Sequence, residues 1–141
     1  MKTNDFNLFL DDIRKPKDGF LYNDGRYLLD ASKTANSSWN VVRSYEDFCE
    51  WIDKFGVPSV VSFDHDLHME HIRHYYEVTS QTGVIEYEKL KYKTGKHCAE
   101  YFVEKWKEAG HPKVSVYIHS ANRWGQIEIA KVLKPIYDYD K

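Results

Sequence analysis

The chain has 141 residues, 42% hydrophobic and 30% charged, with a formal net charge of −2. That size fits one domain, residues 1–141, with a core of its own, and the balance excludes both a disordered tail and the basic field that marks duplex nucleic-acid binders. No apolar run approaches the roughly 20 residues that span a bilayer, and Met1-Lys2-Thr3-Asn4-Asp5 lacks the apolar stretch of a signal peptide, so a cytoplasmic protein is expected.

Leu8-Phe9-Leu10 is a short apolar run ending in Asp11-Asp12, the pattern of a buried parallel strand with acids at its tip. Pro16, Gly19 and Gly25 punctuate residues 13–38, and Phe20 to Leu29 reads as a small hairpin around Asn23-Asp24-Gly25-Arg26. Trp39 to Val42 is a second strand, ending at Arg43; Ser44 then caps a helix, with Asp47 as the other half of a capping box. Phe48, Trp51, Ile52 and Phe55 form that helix's buried stripe, and Gly56 stops it.

Pro58 to Phe63 is a third strand, followed by Asp64-His65-Asp66. Residues 67–93 are expected to form a hairpin or loop insertion, with His68, His71 and His74 as partly exposed residues. Those three continue from His65 at every third position, a spacing that drifts around a helix and does not converge on one ion. Thr94-Gly95 opens a helix carrying Cys98, Ala99, Phe102, Val103 and Trp106, and Gly110 ends it. Cys49 and Cys98 lie on apolar helix faces and are expected as reduced core thiols, while His97 and His111 are expected at the surface. Val114 to Ile118 is a fourth strand finished by His119-Ser120; Asn122 to Leu133 is the last helix, closed by Pro135, and the tail 136–141 adds an edge strand or drapes.

Strand–helix alternation predicts a parallel sheet flanked by helices, in the order 2-1-3-4, with two insertions near 17–38 and 67–93. Right-handed crossovers then bring all the strand tips to one edge, where ligands of such sheets bind. Four carboxylates from two tips cannot all ionise side by side without a cation or raised pKa values. Mg²⁺ or Mn²⁺ fits oxygen donors and leaves room for phosphate. His65 and His119 can act as acid and base, and Ser120 and Asn122 offer donors to phosphate oxygens at a helix start.

Leu8-Phe9-Leu10-Asp11-Asp12-Ile13-Arg14 with Pro16, Val42-Arg43-Ser44, Ser62-Phe63-Asp64-His65-Asp66-Leu67, Thr94-Gly95 and His119-Ser120-Ala121-Asn122 together resemble the cyclic-phosphate processing receiver-like domains. The resemblance implies a receiver-like (flavodoxin-like) α/β fold and hydrolysis of a cyclic phosphate on a nucleotide or an RNA end. In that frame Asp11, Asp12 and Asp64 hold the cation, and Asp64 also matches a receiver's phosphoacceptor. His65 and His119 move protons, and Asp66 orients an imidazole or a metal-held water. Arg14, Arg43, Ser44, Ser120 and Asn122 hold the phosphate. A signalling receiver has a lysine after a fifth strand; Lys134 stands in the wrong place for it, before Pro135, and the two histidines are extra. Both departures favour chemistry over signalling by a receiver phosphorylated on Asp64; a non-catalytic module that binds a cyclic-phosphate nucleotide, with the histidines as recognition groups, is the other alternative.

Overall fold

The computed structural model describes residues 4–13, 39–79 and 82–139. The expected hairpin at Phe20–Leu29, the insertion near 17–38, and Arg14 lie outside them. Strands β1 (Asn4–Leu10), β2 (Trp39–Val42), β3 (Pro58–Phe63) and β4 (Ser115–Ile118) form one sheet in the order β2-β1-β3-β4. Every neighbouring pair is parallel. The sheet is flanked by α1 (Tyr45–Phe55), α2 (Met69–Thr79), α3 (Gly95–Glu108) and α4 (Arg123–Asp138), the α/β arrangement of receiver and flavodoxin-like folds.

Alternation along the strands divides the sheet into two faces. Leu8, Leu10, Val61 and Phe63 belong to the core cluster, with Phe48 and Ile52 of α1, Phe102 and Val103 of α3, and Ile129 and Leu133 of α4. Local signals explain the helix ends. The Ser44 hydroxyl accepts from Asp47 N–H at the start of α1, and Gly56 takes φ 91° at its end. Thr94 caps α3, and His97 serves as the reciprocal partner, its Nδ1 accepting the Thr94 N–H at 2.9 Å.

The insertion at 67–93 departs from expectation. It contains the three-turn helix α2 and a short 3₁₀ turn at Tyr87–Lys89 in place of a hairpin or loop. Its buried stripe is His71, His74 and Val78, at i, i+3 and i+7. Two of those three positions are histidines, so the helical period carries no apolar signal. His68 is exposed, as expected, but His71 and His74 are buried. Two smaller departures arise in the same way, from packing that local sequence does not show. His97 and His111 are half-buried, His111 stacking on Tyr139 with ring centroids 4.8 Å apart. The last helix runs through Pro135 to Asp138, so Pro135 does not close it and residues 136–138 form neither a strand nor a draped tail. Ile136 packs against the core and holds the final turn in place. Cys98 is buried and Cys49 half-buried, both as free thiols. Among the described residues, no helix is long and apolar enough to cross a membrane.

Candidate functional site

The register of the sheet builds the site. Leu10 pairs with both Val42 and Phe63, and Phe63 pairs with Ile118, so the strands end level. The ladder continues one residue further: Asp11 N–H donates to Val42 O at 3.1 Å, Asp64 N–H to Leu10 O at 3.0 Å, and His119 N–H to Phe63 O at 2.9 Å. Side chains at one level of adjacent parallel strands point to the same face. Asp11, Asp64 and His119 therefore meet, with one donor atom from each lying within 4.8 Å of the others, and all three are buried.

Each member is fixed by a second contact. The Asp11 carboxylate accepts Ile13 N–H at 3.0 Å, and Asp64 accepts His65 N–H at 2.8 Å. The His119 ring lies flat on Phe9, centroids 4.1 Å apart and planes within 8°. Its Nε2 is 3.1 Å from Asp11 Oδ2 and its Nδ1 is 2.7 Å from the Ser62 hydroxyl. An ionised carboxylate only accepts, so neutral His119 carries its proton on Nε2 and takes one from Ser62. The hydroxyl can reverse that role, which leaves Nε2 free to donate its lone pair to a cation. Two carboxylates and an imidazole are a donor set that suits Mn²⁺ and, through the oxygens, Mg²⁺.

A second network stands one residue further along β3. His65 Nδ1 is 2.7 Å from Asp66 Oδ1, and Nε2 is 2.8 Å from the Tyr87 hydroxyl. Burial, with Glu128 and Asp66 nearby, pushes the Tyr87 phenol up, so Tyr87 stays protonated and donates. His65 then donates from Nδ1 to Asp66, which also accepts from Asn122 Nδ2 at 2.9 Å.

Two glycines let helices close on these networks. A Cβ on Gly95 would lie 1.7 Å from the Asp64 carbonyl oxygen, and one on Gly125 would lie 2.3 Å from the His65 ring. Gly95 N–H donates to His65 O at 2.8 Å, and Gly125 N–H donates to the Asn122 amide oxygen at 2.8 Å. The Thr94-Gly95 pair is thus a close approach of α3 to the Asp64–His65 peptide as well as a helix start.

The site opens on a cavity of about 340 Å³. Asp11, Asp12, Asp64, Asp66, Ser120 and Asn122 contribute its polar wall. His65 and His119 stand behind that wall, His119 against Asp11 and His65 against Asp66. Ser120 accepts Asn122 N–H on its hydroxyl oxygen at 3.0 Å, which leaves the hydroxyl hydrogen for an oxygen in the cavity. Arg43 and Ser44 are not on the wall. Arg43 donates to the Asp11 carbonyl at 3.2 Å, and Ser44 caps α1.

Ile72, Tyr75 and Tyr76 form the facing wall, from α2, and sequence reasoning did not find them. Their i, i+3, i+4 spacing was the available signal, hidden while the segment read as a loop. A family model described as the cyclic-phosphate processing receiver domain matches residues 6–135. No curated protein and no solved structure was found to match.

Proposed function

This chain belongs to the cyclic-phosphate processing receiver domain family, and from that premise we propose that it is a metal-dependent phosphoesterase acting on the cyclic phosphate of a nucleotide or an RNA end. The observation that carries the reading is the buried Asp11–Asp64–His119 group, its donor atoms within 4.8 Å, two of whose members open on the cavity. Four aspartates on one wall repel a phosphate unless a cation stands between them. A bound Mg²⁺ or Mn²⁺ would offset that charge and polarise a phosphoryl oxygen. Asp11, Asp64 and His119 would hold it, with Asp12 as a further oxygen donor at the cavity edge.

The chain's own groups supply the remainder. Ser120 donates its hydroxyl hydrogen to a phosphate oxygen, and the start of α4 adds the favourable field of a helix N-terminus. Opening a cyclic ester with water removes one proton from the water and returns one to the leaving oxygen. Asp66 faces the cavity and handles these protons, while His65 behind it shares the charge and Tyr87 holds His65 in one tautomer. Arg43, whose guanidinium donates to the Asp11 carbonyl, adds positive charge to the same edge. The reading takes the domain to work in the reducing cytoplasm, where Cys49 and Cys98 stay free.

The test is a screen of 2′,3′-cyclic and 3′,5′-cyclic nucleotides, cyclic dinucleotides and RNA ending in a cyclic phosphate, with Mg²⁺, Mn²⁺ or a chelator. Ring opening that requires the cation is the expected result. Tight binding without turnover would make the domain a binding module. A mass gain on Asp64 after incubation with acetyl phosphate, with no turnover, would make it a receiver.

A further inference from the structure

The cavity has two chemically unlike walls. One is the strand-tip wall, polar except for Ile13 and Ala121; the other is Ile72, Tyr75 and Tyr76 of α2. Tyr76 is 69% exposed, a large aromatic left in water at the rim of an anion-handling cavity. Tyr75 is half-buried beside it, the two ring centroids 5.7 Å apart. A volume of about 340 Å³ lies at the small end of ligand sites and suits one nucleotide unit.

The aromatic wall is held rigidly. Leu67 N–H donates to His71 Nδ1 at 2.8 Å, so the tip of β3 is tied to α2. His71 Nε2 donates to Tyr92 O at 2.8 Å, and His74 Nε2 accepts Glu86 N–H at 2.9 Å, tying α2 to the segment leading into α3. These bonds fix α2 relative to Asp64, and a preorganised surface loses little on binding.

The two ring planes are tilted by 59°, so one face stacks and the other ring meets its edge. We infer that Tyr76 is a stacking platform for the nucleobase of the substrate, with Tyr75 and Ile72 packing on the edge of the base, so that the substrate is a nucleoside cyclic phosphate and not a base-free one. Every base has a π-face, so the platform accepts a base without reading its identity. The inference rests on the phosphate reading of the opposite wall, and the experiment separates the two.

Binding of a nucleoside 2′,3′-cyclic phosphate and of glycerol 1,2-cyclic phosphate, which lacks a base, is measured by calorimetry with Mn²⁺, alongside turnover. The expected preference for the nucleoside is roughly tenfold to a hundredfold, the usual size of base–aromatic stacking. Tyr76→Leu and Tyr75→Leu should bring the ratio towards one, and Tyr76→Trp should restore it. Tyr76 is exposed, so its variants keep the fold. Equal binding of the two ligands, or a ratio unmoved by both Leu variants, overturns the platform while leaving the phosphate reading intact. Binding of neither overturns both. Binding with the base preference but without turnover supports the platform and removes only catalysis. An oligoribonucleotide ending in the same cyclic phosphate sorts the source: equal or better affinity marks an RNA end, and weaker affinity marks a free nucleotide, with the Tyr76→Leu loss expected in either case.

Discussion

Two buried histidines stand just beyond the ends of neighbouring strands, and their surroundings divide their work. His119 lies between Asp11 and Ser62, level with Asp64, on a face where two fixed carboxylates converge. His65 is engaged at both nitrogens by Asp66 and Tyr87, with Gly125 against its ring. Two sequence features with the same look, a histidine after a buried strand, therefore differ in register. His119 continues the ladder at the level of Asp64, whereas His65 comes one residue later and turns away from that face.

Changes to the first corner test the comparison most severely. Asp64→Asn removes one cation donor and should abolish both Mn²⁺ binding by calorimetry and cyclic-phosphate turnover; retained binding would detach this corner from the cation. His119→Ala should weaken Mn²⁺ binding and lower kcat/KM per folded molecule by roughly 10²-fold or more; it also leaves Asp11 and Ser62 short of a partner, so turnover is compared per folded molecule in both histidine variants. At the second corner, His65→Ala leaves Asp66 and Tyr87 short of a partner. It should cost about 1–3 kcal/mol of stability, read as a lower Tm, with a smaller loss of turnover per folded molecule than at His119. If His65→Ala cuts turnover as deeply as His119→Ala does, the division between the corners fails.

The smallest effect concerns the histidines that anchor the α2 segment and cap α3. Burial pushes the His71 imidazole down, and burial with Lys93 and Lys96 nearby pushes His97 down to about 4. Both accept a backbone N–H, which a protonated nitrogen cannot do. An unperturbed histidine titrates near pH ~6.5. Between that value and about 4 the unfolded chain therefore binds protons that the folded His97 refuses. Stability is fully present above the unfolded value and is lost as pH falls through this window. A Tm series from pH 7.5 to 5 should fall less steeply in a His71→Gln, His97→Gln variant than in the parent. Equal slopes would assign the acid sensitivity to other groups.

The sheet and the carboxylates were legible because parallel strands are short, wholly apolar runs and acids at their tips break the pattern. The boundaries of β2 and β3 follow directly from Trp39–Val42 and Pro58–Phe63. Asp11 and Asp64 could be paired from the sequence because each follows directly on a short apolar run and parallel crossovers bring such strand ends to one edge. Helix α2 was not legible, since His71 and His74 occupy positions that periodicity expects to be apolar. Losing the helix also hid the Tyr75–Tyr76 wall. Pro135 read as a stop because a proline inside a helix usually breaks it; the packing of Ile136, the Lys134–Asp138 ion pair and the contacts of Tyr139 with Trp106 and His111 hold the turn beyond it. The same limit applied to Arg43: residue type marked it as a phosphate binder, while its bond to the Asp11 carbonyl is a matter of geometry. Ser44's cap on α1 was legible, since a serine before a helical stripe marks a helix start.

Of the helices that begin at this edge, two start against the site itself. The first turn of α3 meets the Asp64–His65 peptide through Gly95, and the first turn of α4 starts from Asn122 beside Asp66. Each helix start presents the equivalent of about half a positive charge, so the pair supplies about one positive unit beside the Arg43 guanidinium behind Asp11. Asp11, Asp12, Asp64 and Asp66 carry up to four negative ones on the cavity wall. The scaffold thus offsets only part of its own field. On the proposed reading the fold is electrostatically an unfinished shell: it would concentrate divalent cations from solution and repel free polyanions until such a cation had arrived. Order of arrival, cation before phosphate, would then follow from the two helix starts and the four acids together, set before any substrate is met.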